Sequence, residues 1–361
     1  LQEQRDARRY FRPCVQPWLH RSKSKALPLR STDPLRGFTD RPFAVEGDGS
    51  FNALALELFH LHAAHNPVYR GFLNGLGIRA DRVAAVEHIP CLPIGLFRTH
   101  RVLLDGLQPV LSFTSSGTTG ATTSTHAVPL PALYQRSFMG SFTAAYGPPT
   151  EWRIIALLPA YLERSGSSLV YMAEQLIQAS GDPLSGTYLH QYEQVAGVLR
   201  RSEAEGKRTL LLGVTFALLD LAERHPQPLR TTTVMETGGM KGRRPELVRE
   251  ELHAILERAF GVPCVHSEYG MTELLSQAWS KGEGRYHCPP WMRVRIRDAQ
   301  DPFARLACGR TGGIDVIDLC NMASCPFIST QDLGRLHTDG SFEVLGRFDH
   351  SDVRGCNLLV E

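Results

Sequence analysis

Three short stretches carry side chains whose types and spacing could act on anions. Phe113-Thr114-Ser115-Ser116-Gly117-Thr118-Thr119-Gly120 places hydroxyl residues between two glycines, just after an apolar run at Val110, Leu111 and Phe113. Such a loop offers backbone N–H groups and hydroxyls to one anion, and Gly117 and Gly120 allow positive φ and close approach of the backbone. No Lys follows the second glycine, so the stretch is not the GxxxxGK[ST] phosphate loop. Taken alone, it reads equally well as a surface turn. Glu268-Tyr269-Gly270-Met271-Thr272-Glu273 follows the pair Gly238-Gly239 and offers a carboxylate suited to a hard cation. Thr330-Gln331-Asp332 and Gly346-Arg347-Phe348-Asp349 add a further acid and a guanidinium, ahead of Arg354-Gly355-Cys356.

The elements that must position these residues follow from the apolar patterning. The chain has 361 residues and a net charge of +2, with 42% hydrophobic and 21% charged residues. That is the balance of a globular protein, and it gives no electrostatic argument for nucleic acid. The longest apolar run, 210–222, is broken by Thr215 and Asp220 and is too short to span a bilayer. The first twelve residues are charged and lack the apolar core of a signal peptide, which leads to an expectation of a cytoplasmic protein. Eight cysteines occur without a CxxC pair, so reduced thiols are expected. His287, Cys288, Cys320 and Cys325 fit no common zinc spacing. His60, His62 and His65 read as surface or packing residues, with no carboxylate or Cys to complete a ligand set.

Helical spacing spans 51–76, with Asn52 as a cap. Buried-strand runs at 152–159, 209–215, 231–237 and 262–266 alternate with helices at 168–179, up to 224, and from Pro245 to Gly261. This alternation predicts an α/β fold with a largely parallel sheet. From 285 onward, short β-rich segments (292–296, 314–319, 342–345) predict a small β subdomain. The expected organisation is an N-terminal lead-in over 1–84, an α/β core over 85–284, and a β-rich segment over 285–361.

The ordered set resembles the adenylate-forming superfamily of acyl-CoA synthetases, firefly luciferase and peptide-synthetase adenylation domains. Gly238-Gly239 is similar to that family's glycine pair. Thr330-Gln331-Asp332 looks like its ribose-binding Thr-Gly-Asp, with Gln331 in place of glycine, and Gly346-Arg347-Phe348-Asp349 looks like its hinge motif. The resemblance implies ATP and Mg²⁺ as cofactors, bound through Ser115, Ser116, Gly117, Thr118, Thr119, Gly120, Gly238, Gly239, Tyr269 and Gly270. Glu273 would hold the metal, Thr272 the α-phosphate, Asp332 the ribose and Arg347 the ribose or a phosphate. The family's Lys after the loop is replaced by Thr123, and nearby His126 is a candidate donor in its place. The family's C-terminal domain, with its lysine, is expected to be absent or vestigial, and Lys241 is a candidate substitute for that lysine.

Glu236–Arg243, Ser267–Leu274 and Arg354-Gly-Cys-Asn357 look like the acyl-protein synthetase branch, the long-chain-fatty-acid–luciferin-component ligases. That branch implies a fatty acid adenylated and moved to the chain's own Cys356, then passed to a partner acyl reductase. A cysteine is the better acyl acceptor because part of it is thiolate at neutral pH. Two other functions stay open: a CoA ligase of the phenylacetate type, and a non-catalytic scaffold for ATP or an acyl ligand. A homo-oligomer is also open.

Overall fold

The computed structural model describes residues 34–115, 123–159, 166–238 and 247–348. After a short 3-10 turn at Arg41–Ala44 come two helices, α1 (Asp48–His65) and α2 (Pro67–Gly75), where the spacing predicts one over 51–76. Asn66 breaks the run. The residue before a proline is pushed out of the helical region, and Asn66 has extended backbone at φ −105°, ψ 108°. Its Oδ1 accepts from the backbone N–H groups of Val68 and Tyr69, capping α2 with Pro67 in its first turn. His62 is fully buried at the end of α1, 2.9 Å from the Met322 carbonyl, and is a packing residue.

A two-residue strand β1 (Leu92–Pro93) precedes a hairpin of β2 (Leu111–Thr114) and β3 (Thr125–Val128), which carries the glycine loop between its arms. Helix α3 (Pro131–Tyr146) follows. Then come β4 (Arg153–Leu157), α4 (Ser168–Ser180), β5 (Gly186–Tyr188), α5 (Tyr192–Glu205), β6 (Thr209–Gly213), α6 (Thr215–Arg224), β7 (Thr232–Glu236), α7 (Arg249–Phe260) and β8 (His266–Tyr269). β4 and β6 are buried along their whole length, as strands covered by helices on both faces must be. The strands lie side by side in the order β5-β4-β6-β7-β8, all parallel. Gly261 ends α7 in the left-handed region at φ 61°. The strand expected at 262–266 begins only at His266 and runs into the Glu-Tyr-Gly motif, because Pro263 has no N–H for a ladder.

β9 (Ala278–Ser280), β10 (Arg285–His287), β11 (Met292–Arg297), β12 (Thr311–Asp318), β13 (Phe327–Leu336) and β14 (Phe342–Arg347) continue the same sheet with antiparallel pairing. The full order is β11-β12-β13-β14-β10-β9-β8-β7-β6-β4-β5, with β1 paired parallel to β13. The β-rich segment is thus joined to the parallel core through one ladder. Buried Asp315 pairs with Arg297 at 2.8 Å and with Arg305. Arg297 Nη2 also donates to the Thr330 carbonyl at 2.6 Å. A buried carboxylate shared by two guanidiniums meets its desolvation and anchors the strand on which Asp332 sits.

Candidate active site

A cavity of ≈ 420 Å³ lies beyond the carboxyl ends of β7 and β8 and against the start of α4. Open parallel sheets leave ligand space at that edge, where backbone N–H groups and loop side chains converge. Thr237 and Gly238 come from the end of β7, and Gly270 to Glu273 from the end of β8. Ser115 and Ser124 enter from the hairpin, Thr330, Gln331 and Asp332 from β13, and Arg347 from β14. Segments distant in the chain therefore meet around one space, and Ser115, Gly238, Gly270, Thr272, Glu273, Asp332 and Arg347 all line it.

Alternation along β8 sends Tyr269 to one face and Glu268 to the other. Tyr269 does not line the cavity but holds a residue that does: its hydroxyl donates to Asp332 Oδ2 at 2.9 Å. Its ring is fixed edge-on against Phe342 at 5.3 Å and Tyr286 at 5.9 Å. Arg347 Nε sits 3.4 Å from Asp332 Oδ1. Burial raises the Asp332 carboxyl, and Arg347 and the Tyr269 hydroxyl work against that. Gly238 adopts φ 71°, where a side chain is strained, and its N–H donates to Glu236 Oε2 at 2.6 Å.

Glu273 is 5% exposed. Burial raises its carboxyl, while a hydrogen bond to Ser124 and the charges of Arg98 and Arg347 lower it. The Thr272–Glu273 backbone is gripped from behind. His126 Nδ1 donates to the Thr272 carbonyl at 2.8 Å, and Asn321 Nδ2 donates to the Glu273 carbonyl at 2.8 Å. His126 Nε2 lies 3.1 Å from the Asn321 side-chain amide. Asp318 secures the next turn by accepting from the Leu275 N–H at 2.8 Å and the Ser276 hydroxyl at 2.6 Å.

His126 is therefore not placed as an anion donor. It is fully buried, is not part of the cavity lining, and its burial pushes the imidazole down to about 4, so it is neutral near pH 7. β3 leaves Thr125 exposed and buries His126, Ala127 and Val128. Ser116, Gly117, Thr118, Thr119, Gly120, Gly239, Lys241 and Cys356 lie outside the described residues. Arg98, Tyr134, Gln277 and Asn321 belong to no motif, and Thr237 and Glu268 stand within motif stretches without a role assigned to them; all but Asn321 line the cavity. Among the described residues, no group of three His, Cys, Asp or Glu side chains is placed to hold a metal, and no helix is long and apolar enough to cross a membrane.

No protein-family model matches the chain, and no curated protein does. Solved structures do match. ATP-bound MatB from Rhodopseudomonas palustris aligns at 19% identity and a TM-score of 0.50 over 65% of this chain and 47% of its own. An open conformation of 2-hydroxyisobutyryl-CoA ligase with 2-HIB-AMP and CoA aligns at 12% identity and a TM-score of 0.60 over 84% of this chain and 70% of its own. The same ligase in its thioesterification state aligns at 13% identity and a TM-score of 0.57. The chain spans about half the length of MatB. These likenesses show the fold: a mixed α/β sheet with flanking helices, shared with MatB and the hydroxyisobutyryl-CoA ligase.

Proposed function

We propose that this chain is an ATP-dependent acid–thiol ligase, which activates a carboxylic acid as its acyl-adenylate and then passes the acyl group to a thiol. The observation that carries the proposal is the meeting of Ser115, Thr272, Glu273, Asp332 and Arg347 around one cavity at the carboxyl edge of the sheet. The fold is that of structures holding ATP in MatB and 2-HIB-AMP in the hydroxyisobutyryl-CoA ligase. In the first step a carboxylate oxygen attacks the α-phosphorus of ATP. The bond from that phosphorus to the bridging oxygen breaks, and pyrophosphate leaves with the electron pair. Asp332, steadied by Tyr269, accepts from the ribose hydroxyls, and Arg347 adds a charge-assisted bond. Ser115 and the glycine loop hold the outer phosphates, and the Thr272 hydroxyl donates to the α-phosphate. Catalysis is positioning and charge neutralisation.

Glu273 fits Mg²⁺. It is a buried carboxylate at the cavity wall, raised by desolvation, with no cation paired to it within 4 Å among the described residues. Mg²⁺ is commonly held by one carboxylate together with substrate phosphates, and there it neutralises phosphate charge.

For the second step the acceptor is Cys356: its thiolate attacks the acyl carbon and AMP leaves. None of the six described cysteines lines the cavity, and burial pushes the Cys91 and Cys288 thiols up to about 11 and about 12. Onward delivery to an acyl reductase follows the sequence resemblance. The second reading has free CoA as acceptor and is favoured by the CoA bound in the hydroxyisobutyryl-CoA ligase structure.

The test is the intact mass of the protein after incubation with Mg-ATP and a panel of acids that includes long-chain fatty acids, wild type beside Cys356→Ala. A hydroxylamine-labile adduct on wild type alone, with pyrophosphate released by both, is expected. Pyrophosphate release with an acyl-CoA product and no adduct would move the acceptor to CoA. No pyrophosphate from any acid would overturn the proposal.

A further inference from the structure

We infer that the acid taken by this site carries an ammonium group, held by the Glu268 carboxylate together with Gln277 and Thr237. The inference rests on the acid-activating reading above and names its substrate class. The register of β8 against β9 pairs Glu268 with Trp279 and Tyr269 with Ala278. Gln277, two residues from Trp279, shares its face, which is the face of α3, since Trp279 Nε1 donates to Ser141 Oγ of that helix at 2.6 Å. Glu268 and Gln277 thus lie on the side of the sheet away from Tyr269 and Asp332, and both line the cavity.

Two buried oxygen atoms there lack a hydrogen-bond partner. Gln277 is 3% exposed and its Oε1 has no hydrogen-bond partner. Thr237 Oγ1 is buried and likewise unpartnered. The nearby Tyr134 hydroxyl is already spent, donating to the Ser168 carbonyl at 3.1 Å. Glu268 has no cation within 4 Å among the described residues, and Glu236 adds a second carboxylate nearby, fixed by the Gly238 N–H. A Cβ at position 270 would collide with Glu268 Oε1, so glycine there lets the carboxyl lie against the end of β8.

Buried acceptors left unpaired oppose an alkyl chain. A hydroxyl would bring one donor. An ammonium brings three donors, no acceptor, and the charge that Glu268 lacks, whereas Glu236 already has His253 Nε2 3.9 Å away. Burial and Glu236 hold the Glu268 carboxyl up to about 8. An arriving cation favours its ionised form.

The test is ATP–pyrophosphate exchange with matched pairs: 6-aminohexanoate against hexanoate, β-alanine against propionate, and α-amino acids against their desamino counterparts. The amino member of at least one pair is expected to exceed its counterpart by about tenfold or more, with Glu268→Leu abolishing the preference. Equal or better exchange with the unsubstituted acids, unchanged in Glu268→Leu, would overturn the inference and leave acid activation standing. If no acid supports exchange, the activation reading falls, and calorimetric binding of the same pairs decides this one. Glu268-dependent binding of an amino member upholds it, and no binding of any amino member overturns it. Glu268→Gln, which keeps the shape without the charge, separates loss of recognition from loss of folding.

Discussion

At the scale of single residues, the candidate site depends on side chains that do not themselves reach the cavity. Tyr269 acts through Asp332. Tyr269→Phe is expected to keep the fold and raise the KM for ATP by about three- to tenfold, the net worth of one ordinary hydrogen bond. ATP titration of the exchange reaction reads this directly. Asn321 acts through the Glu273 carbonyl. Asn321→Ala leaves that buried acceptor and His126 unmatched. It is expected to lower stability by about 1–3 kcal/mol and to weaken the dependence of the reaction on Mg²⁺, checked by urea unfolding and a metal titration. These supporting residues were not legible in the sequence for a physical reason. A motif records side chains that meet a ligand, whereas Asn321 and His126 meet backbone carbonyls, which any sequence would present. His126 illustrates the point: beside a glycine loop an imidazole reads as an anion donor, and only the turn of β3 into the interior removes it.

At the scale of elements, the parallel half was legible because strands buried on both faces are unbroken apolar runs bounded by glycine and proline. The runs at 152–159, 209–215 and 231–237 became β4, β6 and β7 with ends shifted by a residue or two. Two helices, α3 and α5, lie outside the helical spans expected from the apolar spacing. α3 mixes Ser137 and Ser141, whose hydroxyls accept from Trp291 and Trp279, with Leu133, Phe138 and Phe142 on its buried side, which interrupts the apolar pattern. α5 carries Arg200, Arg201 and Glu203 outside a short apolar stripe. β13, which carries Asp332, is absent from the β-rich segments expected from the sequence, because polar residues interrupt it. The connection from β6 to α6 is tight. A Cβ at Gly213 would lie 2.7 Å from Leu218 Cδ2 and 2.8 Å from its Cγ, and Leu218 is fully buried. Gly213→Ala is therefore expected to cost about 1–3 kcal/mol through overpacking, whereas Gly71→Ala, with open space at its Cβ, is expected to be neutral or stabilising. Thermal unfolding of the pair separates the two.

At the scale of the whole molecule, buried titratable groups set how stability varies with pH. His62 and His126 are fully buried, and burial pushes each down to about 4 from an ordinary 6.5. Between those values the unfolded chain binds the protons that the folded chain refuses. Stability from this source is complete above about pH 6.5 and falls as pH drops toward 4, by on the order of 3 kcal/mol for each histidine. Glu268 runs the other way. Its folded value near 8 lies above its ordinary 4.5, so the folded state holds the extra proton and loses stability as pH rises from 4.5 to 8. Urea midpoints measured from pH 4 to 9 should fall at both ends. His62→Gln should flatten the acid limb and Glu268→Gln the alkaline limb.

The sheet is narrowest where β8, β9 and β10 join its halves, with strands of four, three and three residues between five-residue parallel strands and the eight- and ten-residue β12 and β13. Few ladder hydrogen bonds cross that waist, so the parallel and antiparallel halves are poised to unfold as separate cooperative units. In native-state amide exchange, the protons of β6 and of β12 should each report their own opening free energy, with those of the waist exchanging sooner than either. Glu273 lies inside that waist, between β8 and β9, and Asp332 stands beyond it on β13, so a ligand touching both would slow exchange at the waist toward that of the antiparallel half.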